Sequence, residues 1–469
     1  MHTVVIRRMT FVAVVAGLLS QGVIAQSKAQ RWLTTPDRTS LFKQDKHTLH
    51  FASAEATGTI IEVDDAKKYQ PIDGFGFALT GGSAQLLMQM DKAKRTKLLH
   101  ELFDTKTGAI GISYLRVSVG SSDMNDHAFT YDDLPAGGSD QSLAKFDFGP
   151  DKTSVIPVLK EILAIAPSIE ILGSPWSAPA WMKTNESLIG GNLKREEFTT
   201  YAHYFVKYLQ GMQAEGIRID AITPQNEPLH PKNNPSMYMT AEDQRDFIKS
   251  ALGPELRKAG LKTKIIVYDH NCDKPEYATT VLSDPEAAQY VDGSGFHLYK
   301  GTIDAMTTVH DADPKKNLYF TEQMTVQADN SAPLHISKPV AGLIVAAPRN
   351  WSRNVLLWNL AADSHDGPHT DKGGCPMCQG AITIDGNQVT RNIAYYTVAH
   401  ASLFVRPGSV RIESTSTDTF PSVAFAAPGG KTVLIVTNTS DAEQVFHIRS
   451  HGKSAGSTLA AGAAATYVW

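Results

Sequence analysis

Eight short apolar runs alternate with longer amphipathic stretches between residues 73 and 359, and this alternation narrows the folds open to the chain. The runs cover residues 73–79, 114–119, 169–174, 217–226, 264–269, 293–297, 318–322 and 354–359. Each has the length and texture of a short, largely buried strand. Between them, stretches such as 91–103, 155–165, 196–215 and 241–259 carry apolar residues at helical spacing on a polar background. Strand and helix taking turns eight times predicts an α/β fold, a (β/α)8 TIM barrel, and residues 71–396 supply the length that such a barrel needs.

The two ends of the chain have a different texture. After Arg406-Pro407-Gly408, short strand-like runs at 422–426, 431–438, 444–448 and 465–469 are separated by Gly, Ser, Asn and Asp, an all-β pattern. Before the barrel, 49–63 is strand-like and 57–63 is rich in β-branched residues, whereas 26–45 is polar without a clear period. One fused β-sandwich formed by both chain ends, 26–70 and 397–469, is therefore expected. At 469 residues and 42% hydrophobic, the chain has enough apolar material for both cores.

Residues 1–25 read as a signal peptide: Arg7-Arg8, an apolar stretch over 11–19, and Ala25 as the cleavage residue. Export to the periplasm or the extracellular space is expected. Arg7-Arg8 ahead of Phe11 leaves the general and twin-arginine routes both open. No later run is long and apolar enough for a membrane span. A formal net charge of −4 argues against nucleic acid as a partner and suits a neutral polar substrate.

In a barrel of this kind the C-terminal strand ends face the active site. Strand four would deliver Asn226-Glu227 before Pro228, and strand seven would deliver Glu322. Two glutamates on separate strand ends are what a retaining glycosidase requires: one acid to protonate the departing oxygen, one carboxylate to attack the anomeric carbon. Asn226 suits a hydrogen bond to the sugar 2-hydroxyl. Arg116, Asp123, Trp176, Trp181, Lys183, Asn185, His297, Tyr299, Trp358 and Asn359 fall at or just beyond the other strand ends. Aromatic faces and polar groups of these types bind the C–H surfaces and hydroxyls of sugars, although a single Trp is more often core and Arg116 has a purely structural reading as the partner of a buried carboxylate.

Two other signals compete. Gly74-Phe75-Gly76 resembles part of a dinucleotide loop, but Leu79 stands where the third glycine belongs. His365, His369, Cys375 and Cys378 have a spacing that could bind zinc, and the cysteines could equally be bridged after export; spacing alone leaves both open. Cys272 reads as a lone buried thiol.

Gly74-Phe75-Gly76, Ser174-Pro175-Trp176, Asn226-Glu227-Pro228, Tyr268-Asp269-His270-Asn271, Thr321-Glu322-Gln323 and Trp358-Asn359, in that order, resemble glycoside hydrolase family 30, the glucosylceramidase and β-1,6-glucanase family. The resemblance runs from Ile72 to Trp469. It implies Glu227 as acid/base, Glu322 as nucleophile, and Asp123, Trp176, Asn226, His297, Tyr299 and Trp358 around the first sugar. The loop around Cys375 and Cys378 resembles the Gly-Gly-Cys loops of β-1,6-glucanase-like members, which implies a Cys375–Cys378 disulfide. The expected activity is retaining hydrolysis of a β-glucoside, an oligosaccharide or a glycolipid, with no cofactor and no metal. Residues 225–237 and the cysteine loop lean toward β-1,6-glucan over glucosylceramide. A β-xylosidase-type member is a weaker alternative, and a non-catalytic carbohydrate-binding barrel would not need both glutamates. Two carboxyls about 5–5.5 Å apart cannot ionise equally easily, so Glu227 is expected to have a raised pKa and Glu322 a lowered one.

Overall fold

All eight apolar runs become strands of one closed parallel barrel: β1 (Gly74–Leu79), β2 (Tyr114–Ser118), β3 (Glu170–Ser174), β4 (Ala221–Ile222), β5 (Lys264–Cys272), β6 (Val291–Gly301), β7 (Asn317–Glu322) and β8 (Ser352–Asn359), with β8 pairing back to β1. The computed structural model describes residues 28–469 apart from 54, 107, 328 and 330, so the expected leader over 1–25 lies outside the described residues. Helices Lys92–Phe103, Val155–Ile165 and Phe198–Ala214 stand where helical spacing placed them. The stretch over 241–259 is helical too, but it widens to a π turn at Ile248–Leu252, where Pro254 follows without an N–H to give.

The barrel interior is filled from the bottom by Tyr114, Leu172, Ala221, Ile266, Tyr319 and Leu356, one each from β2, β3, β4, β5, β7 and β8. Their strand neighbours Leu115, Ile171, Ile222, Ile265, Phe320 and Val355 turn outward into the helix layer. This two-sided burial is why the runs are apolar throughout. Gly76 leaves room for its neighbour strand, since a Cβ there would lie 1.8 Å from the Tyr114 carbonyl oxygen. Two residues above the plug, the same inward face presents Arg116, Ser174 and Thr223.

The run expected as a strand over 217–226 is regular only at Ala221–Ile222. Beyond it the backbone bonds irregularly to both neighbours: Thr223 N–H to Gly173 O at 3.0 Å, Asn226 N–H to Pro175 O at 2.8 Å and Glu227 N–H to Asp269 O at 3.0 Å. Pro224 has no N–H to continue a ladder, and Glu227 sits at φ 43.

Both chain ends build a ten-stranded sheet. Lys28–Thr34 pairs with Ala464–Val468, and Thr59–Pro71 lies between Val410–Ser414 and Gln444–Ser450. Ala52 bridges Ser454 of the far strand Lys453–Leu459, which brings the ends of the sheet together around Ile61, Leu434, Phe446, Ile448 and Tyr467. Four of these strands were not legible. Lys28–Thr34 and Lys43–Gln44 fall in the stretch read as polar without period, and Val410–Ser414 and Lys453–Leu459 are rich in polar residues. The boundary expected at 396/397 falls inside one helix, Ile393–Ser402, which packs on β1, so the passage to the sandwich comes after it. His400 on that helix fastens the two parts. Its ring nitrogens lie 2.9 Å from Thr34 Oγ1 and 2.9 Å from Thr466 Oγ1, and burial lowers its pKa to about 3, so it is neutral.

Candidate active site

Arg116 organises the floor of the cavity at the strand C-terminal ends. Fully buried, it donates from Nη1 to Glu322 Oε2 at 2.6 Å and from Nη2 to Asn226 Oδ1 at 2.6 Å and Asp269 Oδ2 at 2.8 Å. Ser174 and Thr223 hydroxyls donate to the same Asp269 oxygen at 2.8 and 2.9 Å. So satisfied, and despite burial, Asp269 is held far below the usual carboxylate range by the guanidinium and by His297. The structural and functional readings of Arg116 therefore coexist, because one of the carboxylates it holds is Glu322.

Strict alternation along the strands would not aim Asp269 or Glu322 inward; irregularities do. Tyr268 and Asp269 have φ of 72 and 61, and pairing between β5 and β6 slips there, with Gly295 opposite Tyr268 but Phe296 opposite His270. Between β6 and β7, Phe296 faces Phe320 and His297 faces Glu322, so Thr321 is the extra residue. Each bulge re-aims the following side chain at the barrel axis.

His297 lies between three carboxylates. Nδ1 is 3.0 Å from Glu227 Oε1 and 3.8 Å from Glu322 Oε1, and Nε2 is 3.1 Å from Asp269 Oδ1. Both ring nitrogens face carboxylate oxygens, an arrangement that favours a ring protonated at both, an imidazolium. Burial works against that charge, but Glu322, Asp269 and Glu227 outweigh it and raise the pKa to about 9. The consequence corrects the expected electrostatics. Burial alone would raise Glu227, but its hydrogen bond to His297 and the imidazolium charge bring it down to about 2. Glu322 is raised, by burial first and by Glu227 and Asp269, against the opposition of His297 and Arg116. The resting proton expected on Glu227 is on His297, and the two share it across one hydrogen bond.

Glu322 receives a second donor, the Tyr299 hydroxyl, at 3.0 Å to Oε1; that hydroxyl accepts from Met324 N–H at 3.1 Å. A carboxylate oxygen of Glu227 and one of Glu322 lie within 4.8 Å of each other. These two groups and His297 have a spacing that could hold a cation, but both imidazole nitrogens are engaged by carboxylates and Arg116 supplies compensating charge.

A cavity of about 520 Å³ stands over this cluster. Asp123, Trp176, Asn226, Glu227, Tyr299, Glu322 and Trp358 all line it. His297 is not among the lining residues; it stands behind the wall with no exposed surface, bonded to Glu227. Trp176 and Trp358 lie with ring centroids 5.4 Å apart, and the Arg116 guanidinium sits 4.8 Å from the Trp176 ring. Asp123 Oδ1 and Trp176 Nε1 are buried without hydrogen-bond partners, an acceptor and a donor ready for hydroxyls. Burial, then the charges of Glu322 and Glu227, raise Asp123 to about 7.

Other strand-end residues play supporting parts. Trp181 donates to Asp132, Lys183 is buried against Ser177 Oγ and Ser236 O, and Asn359 accepts from Thr80 and Ser83 hydroxyls. Asn185 lies in the loop after β3, bonded to Ile189 O, and is not among the residues around the cavity. His230, Asn233, His270, Asn271, Asp273, Lys274 and Lys300 also line the cavity and were not named as site residues from the sequence; His270 and Asn271 lay in a quoted motif, His230 and Asn233 in the stretch 225–237, and Asp273, Lys274 and Lys300 carried no pattern. Cys375 and Cys378 are joined, Sγ–Sγ 2.12 Å, which takes both sulfurs from the zinc alternative, and Cys272 is the buried free thiol expected.

Comparisons with known proteins agree with this geometry. A family model described as the glycosyl hydrolase family 30 TIM-barrel domain matches residues 72–405, and one for the family 30 beta sandwich domain matches 408–467. The chain is 35% identical to an endo-1,6-beta-D-glucanase of Neurospora crassa over 454 residues, 92% of this chain and 91% of the other. It is 29% identical to the lysosomal acid glucosylceramidase of Mus musculus, over 89% and 85% of the two chains. The solved structure of the endo-beta1,6-glucanase BT3312 superposes with a TM-score of 0.86 at 33% identity, covering 94% of this chain and 99% of that one.

Proposed function

The chain belongs to glycosyl hydrolase family 30 and is a glycoside hydrolase cleaving β-glucosidic bonds; on that premise we propose that it acts on β-1,6-linked glucan through a glycosyl-enzyme formed on Glu322. The observation that carries this reading is the pair of carboxylate oxygens within 4.8 Å, one held by Arg116 and Tyr299 and the other by His297. That spacing suits direct attack by a carboxylate and falls short of the about 6.5–9.5 Å at which inverting pairs stand.

In the first half-reaction a Glu322 oxygen forms a bond to the anomeric carbon while the bond to the departing oxygen breaks. Glu227 protonates that oxygen, having drawn its proton 3.0 Å from His297 Nδ1. Asn226, its Oδ1 fixed by Arg116, offers Nδ2 to the sugar. In the second half, Glu227 removes a proton from water, the water oxygen bonds to the anomeric carbon, and Glu322 leaves. Asp123, Trp176 and Trp358 hold the sugar, the rings against its C–H faces and the unpartnered Asp123 Oδ1 on a hydroxyl.

For the substrate, the outer wall of the cavity favours a glycan over a glycolipid. It is built from His230, Asn233, Asn271, Asp273, Lys274 and Lys300, with Leu229 and Met324 as its apolar members. Such a surface hydrogen-bonds a second sugar and offers little to an acyl chain. Glucosylceramide is the second reading, kept by the glucosylceramidase relative. No helix of the described residues is long and apolar enough to cross a membrane. Export fits the leader-like sequence and the bridged cysteines. Turnover of β-1,6-glucan oligosaccharides beside glucosylceramide, with the anomer of the first-formed product followed by NMR, tests the reading. Release of the β-anomer from the glucan supports it; an α-anomer, or turnover of glucosylceramide alone, overturns it.

A further inference from the structure

The segment between β8 and the strand Ile382–Asp385 crosses the barrel mouth from the helix after β1, past the loop after β2, to the loop after β4. Pro368 packs on Gly82 in the helix after β1, where an added Cβ would lie 3.1 Å from the proline ring. Thr370 N–H donates to Asp123 O, after β2, at 2.9 Å, and its hydroxyl donates to Asn234 O, after β4, at 2.7 Å. Gly373, at φ +94, comes so near the same loop that a Cβ would stand 3.0 Å from Lys232 O. The strap is therefore fastened at Pro368, Thr370 and Gly373. On its inner face Cys378 packs with Ala78, Met124, Trp176 and Trp358, and its Sγ lies 3.5 Å from Met324 Sδ, after β7. Gly373, Gly374, Cys375 and Cys378 are wall of the catalytic cavity.

The facing wall differs in kind, being made of polar side chains from the loop after β4, the end of β5 with the loop after it, and the end of β6. Glu227 stands in the loop beyond β4, on that polar side. In the proposed reaction the oxygen it protonates departs there, and the sugar held by Asp123, Trp176 and Trp358 lies toward the strap, which touches all three. We infer that the bridged segment 373–378 sets specificity for the glycone, the sugar behind the cleaved bond and whatever is linked to it, while the leaving group is selected across the cavity. The inference rests on Glu227 as the acid of the proposed reaction.

Three substrates separate the two walls: 4-nitrophenyl β-glucoside, the 4-nitrophenyl glycoside of a β-1,6-linked diglucoside, and 2,4-dinitrophenyl β-glucoside. The first two differ in the glycone alone, the first and third in the leaving group alone. In Cys375→Ser/Cys378→Ser the ratio of kcat/KM between the two glycones should move about tenfold or more, the scale of a reshaped pocket contact, while the ratio between leaving groups stays within about twofold. Thr370→Val, with the bridge intact, should move the glycone ratio in the same direction by less, so the reading survives a double variant that folds poorly. All rates falling together with both ratios unmoved would mean that the strap is structural, and the leaving-group ratio moving alone would place it on the wrong side; either overturns the inference. If the wild type cleaves none of the three, the reading of the site fails and takes this one with it, an outcome distinct from unmoved ratios.

Discussion

Two layers of the barrel interior lie one above the other, a few residues apart along the strands, and follow opposite rules. The lower one, Tyr114, Leu172, Ala221, Ile266, Tyr319 and Leu356, is side chains packed out of water, each adding stability roughly in proportion to the apolar area it hides. The upper one brings Arg116 and a protonated His297 together with Asp269, Glu227 and Glu322, three carboxylates against two cations, nearly all without exposure. Gathering such charges in a barrel costs desolvation that their attraction only partly returns. The difference teaches that the plug exists for the fold and the charge layer for the chemistry, and substitutions should separate them.

The largest separation is expected at Glu322. Glu322→Gln keeps a side chain of the same shape within reach of Arg116 and Tyr299, so its melting temperature should stay near the wild type while turnover falls by about four orders of magnitude or more. Leu172→Ala in the layer below should do the reverse, lowering stability by about 2–5 kcal/mol while the folded fraction keeps its kcat. Denaturant unfolding beside single-turnover kinetics reads both, and a mechanism-based fluoroglycoside should label Glu322 in the wild type. Labelling elsewhere would break the assignment.

Glu227 should show a smaller, substrate-dependent loss. Glu227→Ala should slow glycosides with poor leaving groups by about 10²–10⁴-fold and spare those whose phenols depart without a proton. Added azide should restore turnover and give a β-glycosyl azide. Equal losses on both substrate types without rescue would count against the acid/base role.

The smallest effect, and the one that sharpens the contrast most, is a shift in pH dependence. The His297 pKa is raised from 6.5 to about 9, so its contribution to stability is complete below pH 6.5 and is lost as pH rises through about 9. The Glu227 pKa is lowered from 4.5 to about 2, so its contribution is present above pH 4.5 and is lost as pH falls through about 2. The pair keeps its shared proton up to about pH 9, which sets the alkaline limb of kcat/KM in the wild type. In His297→Asn that proton must reside on Glu227 alone, and the alkaline limb should move to lower pH by at least about one unit. An unmoved limb would show that His297 does not hold the proton.

How far the sequence could be read follows the same division. The plug and the outward strand faces were legible because burial on both sides writes itself as unbroken Val, Ile, Leu and Phe. Glu227 and Glu322 were legible as carboxylates at strand ends, and their neighbours through ordered motifs. Asp269 was not, although it lay inside a quoted motif, because its inward aim depends on two consecutive left-handed residues that no alternation anticipates. Placing the acid proton on Glu227 followed from the chemistry required of it; the imidazole between three carboxylates is a tertiary fact, assembled from β4, β5, β6 and β7. Strand Lys28–Thr34 escaped because its burial is partial and its partner stands at the other end of the chain.

That last pairing orders events in time. Thr34 reaches its histidine clamp on a residue 366 positions later, and its strand partner Ala464–Val468 comes later still. While the chain is being made, the segment around Trp32 and Leu33 can pair only with the short neighbour Lys43–Gln44, and its other edge, the one Ala464–Val468 will cover, stays open throughout the synthesis of the barrel. The barrel can close before the sandwich can begin. A ribosome-stalled chain in which residue 402 has just cleared the exit tunnel should therefore hold a formed catalytic mouth with a loosely held N-terminal arm, and the arm should find its place only when the final strands arrive.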